Sequence, residues 1–150
     1  MTMKASLRRL SMETKWLEEC PYFNAKHSDN DFSNWTATIP GPSDSPYENG
    51  HFKLEIKLPD SYPFSPPKVK MMTKVFHPNI RDESICIDIL QSNWTSALNI
   101  QKILLSLSSL LTDPNPSSPL NEEAAQLYTS DREKYNATVR KWVKDYASLE

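Results

Sequence analysis

The stretch His51–Leu58, HFKLEIKL, decides how the chain folds. Phe52, Leu54, Ile56 and Leu58 alternate with His51, Lys53, Glu55 and Lys57, the period of two that a half-buried strand requires. Upstream, Trp35, Ala37 and Ile39 alternate in the same way, and Lys68–Thr73 downstream is a weaker third run. Tyr22–Lys26 is expected to supply a fourth strand at the front. Connections rich in proline and other turn formers, 41–50 and 59–67, separate the runs, so an antiparallel meander with one buried face is predicted. Outside the strands the period becomes helical. Met3, Leu7, Leu10 and Leu17 mark an amphipathic helix over 3–18, with Lys4, Arg8, Arg9, Glu13, Lys15 and Glu18 read as its polar side and Cys20-Pro21 as its end. Ile100, Ile103, Leu104, Leu107, Leu110 and Leu111 form an apolar helix with Asn99 as its cap. A short helix is expected from Asn121, with Glu122 and Glu123 in its first turn, and a last one near Ser130, where Ser130 and Glu133 have capping-box spacing. The expectation is one α+β domain over residues 1–150, a four-stranded antiparallel meander with one N-terminal and three C-terminal helices.

Composition narrows the function. A formal net charge of −2 lacks the basic excess of a general nucleic-acid binder, and no apolar run approaches a membrane span. Twelve prolines against two glycines, clustered in 40–46, 59–67 and 114–119 beside aromatic residues, suggest long ordered loops. The first residues lead straight into the amphipathic pattern, with no leader pattern before Cys20 and Cys86. Two free thiols, in the cytosol or nucleus, are therefore expected. No metal cluster or cofactor motif is read, and a monomer is expected.

The segment Lys74–Leu98, KVFHPNIRDESICIDILQSNWTSAL, is the longest without a clean period. Ordered loops of that length in small domains tend to carry function. Within it stand His77-Pro78-Asn79, Ile85-Cys86-Ile87-Asp88-Ile89-Leu90 and Trp94. Elsewhere stand PSDSPYENG at 42–50, Tyr62-Pro63-Phe64-Ser65-Pro66-Pro67, and Asp113-Pro114-Asn115-Pro116 followed by Pro119-Leu120. Taken in order, these resemble the landmarks of the ubiquitin-conjugating enzymes, and the resemblance runs from about Leu7 to Tyr146. It implies the same meander-and-helices fold. It also implies an acyl carrier: an activating enzyme delivers ubiquitin as a thioester, and a ligase directs its passage to a lysine of a protein substrate.

Under that resemblance Cys86 is the thioester nucleophile, because a thiolate both attacks and leaves well. Cys20, outside any motif, reads as a packed thiol. Asn79 would donate to the oxyanion of the tetrahedral intermediate or brace the loop that places it. His77 is implied to be structural rather than a base. Asp88 would orient the incoming lysine and favour its deprotonation, and a carboxylate beside the thiol suits a slow, ligase-triggered carrier better than a protease. Trp94 reads as core. Arg8, Arg9, Phe64, Ser96 and Ala97 fall where the family meets activating enzymes and ligases. Asn24 falls where some relatives bind a second ubiquitin, a property not carried over here.

Three departures stand out. The loop before Cys86 is about one residue short and lacks a glycine, so Asp82-Glu83-Ser84 must make the turn, with Asp the residue best able to tolerate a left-handed backbone. Ser118 stands where many members carry an acid before the proline, and is a possible gate for the lysine. Thr95-Ser96-Ala97 replaces Ser-Pro-Ala, which leaves a softer ligase loop. Two other readings remain at this stage: the same chemistry with another ubiquitin-like modifier, and a non-catalytic ubiquitin-binding module. A cysteine hydrolase would need a histidine base, which spacing neither places nor excludes.

Overall fold

The computed structural model describes residues 3–148. Its strands are β1 (Lys26–Ser28), β2 (Asp31–Pro40), β3 (His51–Lys57), β4 (Lys68–Met71), β5 (Ile80–Arg81) and β6 (Ser84–Ile85). Its helices are α1 (Met3–Glu18), α2 (Ile100–Thr112), α3 (Glu122–Ser130) and α4 (Arg132–Tyr146). β1 to β4 form one antiparallel meander in chain order, and β5 and β6 pair as a separate hairpin.

The period of two in β3 has the consequence expected of it. Phe52, Leu54 and Ile56 are buried while Lys53, Glu55 and Lys57 are exposed. The register pairs Trp35 with Ile56, Ala37 with Leu54 and Ile39 with Phe52, so the inward sets of β2 and β3 share one face. That face, with Met71, packs on Ile100, Ile103, Leu104, Leu107 and Leu111 of α2 as one apolar core. α2 begins where Asn99 Oδ1 accepts the Lys102 N–H at 2.8 Å, and α3 where Asn121 Oδ1 accepts the Ala124 N–H at 3.1 Å. The 41–50 loop closes with Gly41 N–H donating to the Gly50 carbonyl at 2.8 Å. A Cβ on Gly41 would sit 1.7 Å from the Tyr47 carbonyl oxygen, so no other residue fits there without moving the backbone.

Four expectations need correction. The first strand is Lys26–Ser28, because Pro21–Phe23 forms a 3-10 turn that drives Phe23 into the core. β4 ends at Met71: beyond it, Thr73 Oγ1 takes the Lys53 N–H at 2.9 Å in place of a ladder bond. The cap of α4 is Asp131, whose carboxylate accepts the Lys134 N–H at 3.1 Å, while Ser130 still belongs to α3 and donates its hydroxyl to the Gln126 carbonyl at 2.6 Å. Glu13 lies in the interior rather than on a polar face, with none of its surface exposed.

Candidate active site

The β5–β6 hairpin carries Cys86 to the molecular surface. Ile80 pairs with Ile85 and Arg81 with Ser84, and the short loop closes because Asp82 adopts a φ of 53°. The shortened, glycine-free loop is thus accommodated by the aspartate. Cys86 follows directly, half-buried, with its backbone N–H donating to the Asn79 carbonyl at 2.9 Å. Neither Cys86 nor Cys20, also half-buried, forms a disulfide.

Asn79 is almost wholly buried, and its carboxamide is fully engaged. Its Oδ1 accepts the Asn115 N–H at 2.7 Å, and its Nδ2 donates to the Asn115 carbonyl at 2.8 Å and the Ser118 carbonyl at 3.4 Å. The Pro78 carbonyl next to it accepts from the Leu120 and Asn121 N–H groups. Asn79 therefore pins the 113–121 connection beside the cysteine, and in this arrangement neither amide hydrogen is left for an external oxyanion. Ser118 is exposed, and its backbone is held through Asn79.

His77 has none of its surface exposed. The Asn79 N–H donates to its Nδ1 at 2.9 Å, which puts the ring proton on Nε2, 2.6 Å from the Leu110 carbonyl. Burial lowers its pKa from 6.5 to about 4, against a smaller opposing effect of the Leu110 carbonyl. The ring is neutral at pH 7, with both nitrogens already partnered inside the protein. It ties the cysteine loop to the last turns of α2.

Asp88 opens a 3-10 turn, Asp88–Leu90, and is exposed two residues beyond the cysteine. Its carboxylate accepts the Asn93 amide at 2.9 Å, and its carbonyl accepts the Gln91 and Asn93 N–H groups. Trp94 is half-buried against the core and donates Nε1–H to the Pro63 carbonyl at 2.9 Å. That bond links the 91–98 segment to the turn bearing Phe64, which is 69% exposed, and Ser96 and Ala97 are exposed as well. Arg8 is exposed. Arg9 departs from its reading as a surface cation: its guanidinium donates to the Ser96 carbonyl at 2.9 Å, to the Leu98 carbonyl and to Glu13. Glu13 also accepts the Ile100 N–H at 3.0 Å and the Tyr62 hydroxyl.

Three residues of this neighbourhood escape sequence reading. Asn115 meets the Asn79 carboxamide through its own backbone N–H and carbonyl, and its place between Pro114 and Pro116 in an ordered loop is the signal that could have flagged it. Asn93 holds Asp88, and an amide five residues after a carboxylate carries no special pattern. Glu13 looks like one charge among several on α1.

The chain thus joins an α+β meander to a half-buried thiol just after a hairpin, a buried His–Asn pair behind it, and an exposed carboxylate held by the Asn93 amide. Residues 9–143 match the family model described as ubiquitin-conjugating enzyme, so the chain belongs to the ubiquitin-conjugating enzyme family. Among solved structures it is similar to the ubiquitin conjugating enzyme domain of a Toxoplasma gondii protein, at 36% identity and a TM-score of 0.89. That match covers 95% of this chain and 99% of the other. It is also similar to a Plasmodium yoelii protein assigned to the ubiquitin conjugating enzymes, at 39% identity and a TM-score of 0.89 over 96% of each chain. Membership places the chain among transferases that work with ubiquitin, activating enzymes and ligases.

Proposed function

We propose that this protein accepts ubiquitin from an activating enzyme as a thioester on Cys86 and, with a ligase, passes it to a substrate lysine. The observation that carries the reading is the placement of Cys86: half-exposed, fixed through its own backbone to Asn79, with Asp88 exposed two residues on. In the first step the Cys86 thiolate attacks the carbonyl of the thioester on the activating enzyme. A new C–S bond forms, the old one breaks, and the activating enzyme's thiolate leaves. In the second step a lysine amine attacks the same carbonyl. The C–N bond forms, the Cys86 thiolate leaves, and the amine's proton passes to Asp88 or to water. Asp88 receives and orients the lysine. Asn79 acts by holding the 115–118 segment at the lip of the site, where Ser118 faces the incoming amine without a charge of its own. His77 takes no proton, since both of its nitrogens are committed.

The test is a charging assay with activating enzyme, ATP and ubiquitin. It should give an adduct that reducing agent cleaves and that Cys86→Ala abolishes; an adduct surviving Cys86→Ala defeats the proposal. Asp88→Ala should still charge, and its single-turnover discharge to free lysine should slow by about tenfold or more.

A further inference from the structure

The segment 95–98 is a tight turn, closed by the Leu98 N–H donating to the Thr95 carbonyl at 3.0 Å. Ser96 therefore occupies its second position and Ala97 its third. The second position is where proline pre-sets φ and narrows the conformations open to the chain, so a serine there leaves the turn looser. The three carbonyls that follow are nevertheless all held. Arg9 Nη1 donates to the Ser96 carbonyl at 2.9 Å, Lys102 Nζ to the Ala97 carbonyl at 3.3 Å, and Arg9 Nη2 to the Leu98 carbonyl.

Arg9 is itself fixed from behind. Its Nε–H donates to Glu13 at 3.3 Å, and its guanidinium lies over the rings of Trp16 and Tyr62. Buried Glu13 accepts from the Tyr62 hydroxyl and from Ile100, the first residue of α2. Tyr62 stands two residues before the exposed Phe64. One carboxylate thus joins α1, the Phe64 turn and the start of α2, and one guanidinium extends that joint to the 96–98 backbone.

We propose that Arg9 is a positioning residue that clamps the Thr95–Leu98 turn and so sets Ser96 and Ala97 against Phe64 in the surface that receives the ligase. The clamp supplies from α1 the rigidity that a proline at position 96 would supply locally. The guanidinium reaches the Ser96 carbonyl, the Leu98 carbonyl and Glu13 from three separate nitrogens, a spread that the single nitrogen of a lysine does not match. The assignment rests on the preceding proposal in taking the docked protein to be a ligase.

The test compares wild type, Arg9→Lys, Ser96→Pro and the double variant. In the uncharged protein, NMR amide exchange at Leu98 should speed about fivefold or more in Arg9→Lys, which loses one or both charged hydrogen bonds. It should return close to the wild-type rate in the double variant, and be slower than wild type in Ser96→Pro alone, which leaves the buried cluster intact. Each protein is then charged, desalted and mixed with a panel of purified ligase domains, and discharge is scored on the charged fraction. Acceleration should drop about fivefold in Arg9→Lys and recover to within twofold in the double variant. Wild-type exchange in Arg9→Lys overturns the clamp. Restored exchange without restored acceleration shows Arg9 touching the ligase itself, and overturns the positioning role. Failure of every ligase to accelerate the wild type overturns the docking assignment. A wild type that does not charge defeats the carrier proposal, while the exchange measurement still decides the clamp.

Discussion

Acidification should unfold this protein partly through one histidine. His77 is neutral in the folded state because burial holds its pKa at about 4, against 6.5 for the free side chain. The unfolded chain takes up the ring proton as pH falls through 6.5, and the folded chain does so only near 4. Between those values the unfolded state binds more protons, so stability is complete above about pH 6.5 and falls towards pH 4. Applying the linkage relation to these two values, the His77 contribution lost between pH 7 and pH 5 is about 2 kcal/mol. The assay is urea denaturation of wild type and His77→Asn at both pH values. The variant carries no titrating group there and keeps an acceptor near the Asn79 N–H, but its shorter side chain gives up the tie to the Leu110 carbonyl. It should be about 1–2 kcal/mol less stable than wild type at pH 7, and the about 2 kcal/mol that wild type alone loses should erase or reverse that gap at pH 5. Carboxylates that titrate over the same range affect both proteins and cancel in the difference. Parallel losses in the two proteins would refute a buried, neutral His77.

Two further outcomes follow from named contacts. Asp131→Ala should lower stability by about 1 kcal/mol in chemical denaturation through loss of the α4 cap, while Ser130→Ala should change it by less than about 0.5 kcal/mol; equal effects would restore Ser130 as the cap. Ser118→Asp should quicken single-turnover discharge to free lysine, since it adds a carboxylate on the backbone that Asn79 holds. An unchanged rate would show that position 118 does not meet the amine.

What the sequence reveals here depends on how local the cause is. The faces of β2 and β3 follow from alternation within each strand, and the Asn99 and Asn121 caps follow from residues three positions apart, so both were readable. The left-handed turn at Asp82 was readable for the same reason: a short loop without glycine leaves few residues able to make it. Glu13 and Arg9 were misread because their partners are remote. Tyr62 lies 49 positions from Glu13, and Ile100 lies 87. A helical wheel sees two charges on a polar side, and only the tertiary fold shows that Glu13 is sealed beneath Tyr62. At the site, the positions of Cys86 and Asp88 came from motif order. The engagement of Asn79 with Asn115 could not, because it depends on how the 113–121 connection folds back. The shift of the α4 cap from Ser130 to Asp131 is a one-residue ambiguity between adjacent residues that both cap well.

The most direct test of the account is Cys86→Ser incubated with activating enzyme, ATP and ubiquitin, digested, and mapped by mass spectrometry. Transfer through Cys86 requires an oxygen ester at residue 86 that resists thiols and yields to base. An adduct at any other residue, or none at 86 under conditions that charge the wild type, would contradict it.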